Sequence, residues 1–210
     1  ASRTIVIAGA LNANGQAGSG NDAGSGAGGS IKLVSSLLKG SGVISADGGA
    51  YQVSGGGGRI ALFYDYLGDA GADFSSLRNV HASGGHAGTP GSAGTLLAKR
   101  SSQTYGDLYF DELLASGTSA RWSPLTHVGF GKTLAVSSDD TTTTITTDGT
   151  VALPPKGLIG LAFNPDTNQQ QTFTILDNTA TTITIPKTPV AAVNAEYSAL
   201  YRFDNVFLRR

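Results

Sequence analysis

The stretch Gly18–Leu38, GSGNDAGSGAGGSIKLVSSLL, decides how this chain is read. Gly24, Gly26 and Gly29 satisfy the G-x-G-x-x-G spacing of a dinucleotide-binding loop, and the apolar run RTIVIAGAL comes before them. Asp47 even lies near the distance at which such a fold places its ribose-binding acid. That fingerprint needs one glycine cluster at one strand-to-helix turn. The decisive question is therefore whether the cluster recurs.

It does recur. A unit opens at GGSIKLV (Gly28 to Val34), runs to GVISADGG (Gly42 to Gly49) and restarts at GGRIALF (Gly57 to Phe63). It runs again to NVHASGG (Asn79 to Gly85) and restarts as AGTLLAK (Ala93 to Lys99), while GALNANG (Gly9 to Gly15) is an earlier copy of the middle portion. The copies lie roughly 30 to 36 residues apart, and the length differences are expected in the glycine-rich stretches, where a repeat architecture accepts insertions.

Each unit reads as a short apolar strand, a second strand ending in Ala-(Asn/Asp/Ser)-Gly, and a glycine-rich path to the next start. In RIALFYDYL, Ile60, Leu62, Tyr64 and Tyr66 share one parity, as a strand requires. A helix over SIKLVSSLLK is the rival, since Ile31, Val34 and Leu38 fall at helical spacing and Ser30 suits a cap. The equivalent copy RIALFYDYL is β-branched and aromatic, and Gly40 and Gly42 arrive too soon for a long helix, so strand is the expectation. The Asn/Asp/Ser-Gly pairs read as turn chemistry.

Beyond Gly106 glycine thins out and Thr, Val, Leu and Ile take over. Thr142 to Thr147 followed by Asp148-Gly149, and TFTILDNTATTITI around Asp177-Asn178, read as strands joined by hairpin turns, with prolines marking strand ends. DLYFDELLAS (Asp107 to Ser116) and LYRFDNVFLRR (Leu200 to Arg210) share a core in which Phe110-Asp111 matches Phe203-Asp204. An inserted module between two solenoid-type strands explains the match. The expected fold class is thus all-β: a parallel β-helix or β-solenoid at 1–116, an antiparallel β-sandwich or small barrel inserted at 117–199, and at 200–210 a strand that returns to the solenoid or pairs with a neighbour.

Composition narrows the function. With a net charge of -1 and only 14% charged residues among 210, no broad basic field exists to hold a nucleic-acid backbone. Cysteine is absent, which excludes disulfides, thiolate metal sites and cysteine nucleophiles, and no apolar run approaches the length of a membrane-spanning helix. Methionine is absent too, even at position 1, which is expected of a mature or excised piece of a longer product.

The segments ISADGGAYQVSGGGGRIALFYDYL, ASGGHAGTPGSAGTLLAKRSSQTYGDLYFDE and LIGLAFNPDTNQQQTFTILDNTATTITI resemble the glycine-rich repeats of very large secreted bacterial surface proteins. The resemblance covers most of the chain. It implies a β-helical adhesin, filament or matrix component, located extracellularly or at the cell surface, and supplies no catalytic residues.

Several constellations compete with that reading. GFGKT (Gly129 to Thr133) looks like the end of a phosphate-binding loop, but Thr126 stands where glycine is needed and TLAVSS reads as strand. His81 and His86, with His127 or Asp47, lack the fixed spacing of a metal site, and solvated turn histidines are the expectation. Asp47, Asp65, Asp69, Asp73, Arg59 and Arg78 are the candidates for polysaccharide cleavage, without a spacing that pairs two carboxylates. Calcium is the cation that loop-tip oxygens at Asn21-Asp22, Asp139-Asp140 and Asn164 to Asn168 suit, although none matches an acidic calcium loop, and no cofactor is expected.

The expectation is therefore a non-catalytic structural protein whose partners are copies of itself or neighbouring repeats, with cell-surface glycans as an alternative. Assembly is assigned to the end strands, Thr4, Ile5, Val6 and Ile7 at one end and Phe203, Val206 and Leu208 at the other, both read as uncapped. Glycan contact is assigned to Tyr64 and Tyr66.

Overall fold

The computed structural model describes residues 3–68, 77–111, 123 and 129–209, and every regular element among them is a strand. The chain divides into two compact units, Ala1–Ser123 with Phe203–Arg210, and Pro124–Arg202. The second division falls later than position 199 because Leu200 pairs with Ala162 inside the second unit.

In the first unit the repeats pair with one another in parallel. One sheet is β1 (Thr4–Val6), β4 (Leu37–Lys39) and β7 (Tyr66–Leu67); another is β2 (Ala10–Asn12), β5 (Val43–Ser45) and β8 (Val80–His81). A third runs β3 (Ser30–Val34), β6 (Arg59–Tyr64), β9 (Gly94–Arg100), β10 (Asp107–Asp111) and β18 (Asn205–Arg209), parallel throughout except for the antiparallel step from β9 to β10. Thr4 pairs with Leu37 and Ala10 with Val43, 33 residues apart. Ser30 pairs with Arg59 and Leu37 with Tyr66, 29 apart, whereas Ile44 pairs with Val80 and Arg59 with Thr95, 36 apart. The first length change therefore falls between Asn12 and Gly24, which is glycine-rich as expected. The second falls between Leu67 and Val80, outside the glycine-rich path.

Parity puts Ile60, Leu62 and Tyr64 inside, with Leu38, Ile44, Val80, Leu96 and Ala98 completing a continuous core. Tyr66 shares their parity in sequence but is 71% exposed, because the backbone bends at Asp65 and the alternation restarts in β7.

Between the strands run glycine-rich segments that belong to no strand and are joined by the isolated parallel bridges Gly24–Val53 and Val53–Thr89. Here glycine is a spatial requirement. A Cβ on Gly15, Gly48 or Gly84 would sit 1.9, 1.9 or 2.5 Å from the carbonyl oxygen of Gly26, Gly55 or Gly91 respectively, so the same interlock is written three times. Hydrogen bonds tie the segments within each unit, from Gly26 N to Gln16 O, Gly55 N to Gly49 O and Gly91 N to Gly85 O, at 2.8–3.0 Å. Others tie one unit to the next, from Gly49 N to Gly26 O and Gly85 N to Gly55 O, both 2.9 Å. Backbone meets backbone, and no side chain fits between.

The second unit is one antiparallel sheet built from β11 (Phe130–Ser138), β12 (Thr142–Thr147), β13 (Ala162–Asn164), β14 (Phe173–Thr174), β15 (Asp177–Asn178), β16 (Thr182–Pro186) and β17 (Glu196–Leu200). Its edge strands β14 and β15 are one short segment, pairing with β13 at its start and β16 at its end, so the sheet curls until it closes on itself. A bulge between Thr133 and Ala135 bends β11, whose first residues pair with β17 and whose later ones pair with β12. Ile145, Phe163, Ile175, Ile183, Ile185 and Tyr197 fill the interior. The antiparallel module expected here is thus a curled antiparallel sheet.

The glycine interlock yields a direct test. Gly55→Ala must push its new methyl against Gly26 O at 2.0 Å, and is expected to cost about 1–3 kcal/mol or more in urea unfolding. Gly9→Ala, where nothing lies within 4 Å, is expected to change stability by less than about 0.5 kcal/mol. Equal effects at the two positions would contradict the interlock.

Candidate functional site

The repeated Ala-(Asn/Asp/Ser)-Gly triplet forms the most concentrated polar feature of the first unit. Asn14, Asp47 and Ser83 stand in one column, one per repeat. Asn14 Oδ1 accepts from Asp47 N at 2.8 Å, and Asp47 Oδ1 accepts from Ser83 N at 2.8 Å. Beside it runs a second column, in which the Ser45 hydroxyl donates to Asn12 Oδ1 at 2.8 Å and His81 takes the next place. The columns join where His81 Nδ1 meets the Asp47 carboxylate, 2.8 Å from Oδ2.

Asp47, His81 and Ser83 have the side-chain types of a nucleophilic triad, but the connectivity is wrong. The Ser83 hydroxyl donates to Asp47 Oδ1 at 3.0 Å, so the carboxylate holds both the imidazole and the hydroxyl. A triad needs the imidazole placed between the other two, with the serine proton aimed at it. The arrangement locks successive repeats in register.

At the last repeat the column meets a cap. The free edge of β8 offers Ala82 N–H and Val80 O, and the turn before it offers Leu77 O, which also accepts from Val80 N at 3.2 Å. Asp111 Oδ2 accepts from Ala82 N at 3.0 Å, while Arg209 donates from Nη2 to Val80 O and from Nη1 to Leu77 O, both 2.9 Å. Asp111 and Arg209 also pair with each other at 3.1 Å, and Asp111 is fully buried. Strands β10 and β18 deliver them, with Phe207 stacked on Tyr109 at 4.7 Å and the Arg209 guanidinium 5.1 Å from the Tyr109 ring centre.

The C-terminal strand β18 is terminal in its own sheet, and it also carries the arginine that covers the β8 edge. Its pairing corrects the register read from the Phe-Asp match. Phe110 pairs with Leu208, and Phe203-Asp204 precedes the strand, where Asp204 Oδ2 accepts from Gly106 N at 2.9 Å.

The other predicted residues separate. Tyr64 is a core residue at 9% exposure, so the proposed pair of glycan-contacting rings reduces to Tyr66. Thr4 and Val6 are exposed on edge strand β1, and Ile5 and Ile7 pack against the core. Val206 and Leu208 are exposed on edge strand β18, and Phe203 is half-buried. Gly24 has open space around it and Gly29 leads into a strand, so no helix N-terminus meets the fingerprint glycines. GFGKT likewise opens strand β11.

Asp139 uses its carboxylate on Thr141 N and Thr142 N, both at 2.7 Å, to close the turn between β11 and β12. Among the described residues no cluster of three or more His, Asp or Glu side chains is placed to hold a metal ion. His127, Asp69 and Asp73 lie outside the described residues. Comparison with known proteins finds no matching family model, no matching curated protein and no matching solved structure.

Sequence reasoning missed the Asp111–Arg209 cap, since 98 positions separate the partners. It saw the Asn/Asp/Ser column only as turn chemistry. The recurrence of a hydrogen-bonding side chain at one repeat position was the available signal.

Two predictions follow from the charges. Burial raises the Asp47 carboxyl, but hydrogen bonds from His81 and Ser83 outweigh it and leave it below 3.8; the bond to Asp47 holds His81 above 6.5. The lowered carboxyl stabilises the fold above 3.8 and loses that effect as pH falls through its folded value; the raised imidazole stabilises below 6.5 and loses it as pH rises through its own. Stability is therefore expected to fall as pH rises above 6.5 through the folded value of His81, and His81→Gln to flatten that limb in pH-dependent urea melts. At the cap, burial pushes the Asp111 carboxyl upward against the pull of Arg209 and the Ala82 amide. Arg209→Ala, which strands that carboxyl, is expected to cost about 3 kcal/mol, and Asp111→Ala/Arg209→Ala less than the sum of the two single changes. Strict additivity would remove the cap.

Proposed function

We propose that this chain is a non-catalytic structural protein of an extracellular bacterial surface assembly. On this reading its first unit is a parallel β-solenoid, interrupted by an inserted antiparallel barrel. The observation that carries the proposal is the set of open strand edges on the first repeat. Strands β1, β2 and β3 are terminal in their sheets, and all three present the first repeat's free edges, with Val6 61% and Val34 56% exposed. At the far end the β8 edge is sealed by Asp111 and Arg209.

Unpaired edges of this kind accept another strand. The open end thus takes a neighbouring repeat or a second copy through parallel pairing, continuing the glycine interlock. Strands β7, exposed at Tyr66, and β18, exposed at Leu208, are the complementary edges in the first and third sheets. The connectivity of Asp47, His81 and Ser83 supports the non-catalytic part, because the hydroxyl that chemistry would use is already committed.

The test is self-association measured by light scattering and negative-stain microscopy. The chain is expected to form concentration-dependent assemblies, and Val6→Lys with Leu11→Lys, placed on exposed edge positions, to leave a folded monomer. A chain that stays monomeric at all concentrations, or variants that assemble unchanged, would overturn the reading.

A further inference from the structure

The second unit carries a further feature that assembly does not use. Strand β12 ends at Thr147, and the first residues of β11 continue beyond it, paired to β17 through Phe130–Ser198, Gly131–Tyr197 and Lys132–Glu196. A groove of about 570 Å³ opens there, lined by Phe130, Gly131, Lys132, Asp148, Glu196 and Tyr197 among others. That size lies in the range of small-molecule sites.

Its floor is built around Gly131. A Cβ at that position would meet Asp148 Oδ1 at 2.7 Å and the Tyr197 hydroxyl at 2.8 Å, so two polar groups converge over a bare backbone. Asp148 is held by Lys132 N at 2.9 Å and Thr150 N at 3.2 Å, one on each oxygen, which fixes the carboxylate and leaves lone pairs for a further donor. Tyr197 is 1% exposed, and its hydroxyl has no hydrogen-bond partner among the described residues. Burial raises the Tyr197 hydroxyl against a side-chain interaction with Thr147 that lowers it, and the Thr147 hydroxyl itself donates to Thr181 O at 3.1 Å. A buried hydroxyl left unpaired is costly and calls for an explanation.

We propose that this groove binds an uncharged pyranose sugar, as a mono- or disaccharide. Phe130, 62% exposed, supplies an aromatic surface for the apolar face of the ring. Asp148 and Glu196 accept from ring hydroxyls, and Tyr197 and Lys132 donate to them. Two carboxylates against one ammonium disfavour an acidic sugar. Gly131 lets the ring approach the backbone. This goes beyond assembly and does not depend on it, since all six residues belong to the second unit.

The experiment is amide chemical-shift mapping of the full chain titrated separately with glucose, galactose, N-acetylglucosamine and lactose, and with choline as a cationic comparison. At least one sugar is expected to give saturable millimolar shifts centred on Gly131, Lys132, Asp148 and Tyr197. Gly131→Ala fills the floor and is expected to abolish them. Tyr197→Phe is expected to weaken binding about tenfold or more while leaving the thermal midpoint unchanged or higher, because it removes an unpaired buried group. No shifts with any of the sugars, shifts with choline alone, or a Tyr197→Phe variant that binds sugar unchanged would each overturn the proposal. None of these outcomes alters light scattering, so failure here and failure of the assembly reading are distinguishable.

Discussion

The first unit depends on the direct approach of backbone to backbone along its glycine-rich segments. Gly15 against Gly26, Gly48 against Gly55 and Gly84 against Gly91 each leave no room for even a methyl group. Glycine loses more conformational entropy on folding than any other residue, so such segments are poor candidates for order by themselves. They are ordered because every close approach places an amide opposite a carbonyl, both within a repeat and across to the next. The apolar strands then align, and the core of Leu38, Ile44, Ile60, Leu62, Val80 and Leu96 forms as a column.

Polar side chains finish what the backbone begins. The Asn14–Asp47–Ser83 column fixes register, because the side-chain oxygens of Asn14 and Asp47 each accept from the amide of the next repeat. A stack of parallel strands must also end somewhere, and at β8 the ending is chemical. One carboxylate takes the spare amide of Ala82 and one guanidinium bridges the carbonyls of Val80 and Leu77. The ion pair between them is what lets both charges sit at a buried edge.

The sequence carried the strands and the repeat clearly, because parity and recurrence are local signals. RIALFYDYL read as a strand with Ile60, Leu62, Tyr64 and Tyr66 on one parity; the first three are buried, and the bend at Asp65 separates Tyr66 from them. Glycine spacing was equally visible, but a fingerprint match at Gly24 and a backbone clash at Gly55 look alike in one dimension. The register of β18 was misread because a shared Phe-Asp pair suggested equivalence, whereas pairing is set by Asp204 anchoring Gly106 and by Phe207 on Tyr109. The groove over Gly131 lay within GFGKT, a stretch singled out for phosphate. Its convergence with Asp148 and Tyr197 depends on pairings that only the folded sheet brings together.

Native-state hydrogen exchange of the glycine amides is the most direct measurement of the central claim. Gly26, Gly49, Gly55, Gly85 and Gly91 lie outside regular strands yet donate to backbone carbonyls, so they should exchange only through global unfolding, as slowly as the amides of Ile60 and Leu62. Exchange of these five at the rate of an exposed loop, while the strand amides stay protected, would show that the glycine segments are mere connections and would contradict the account.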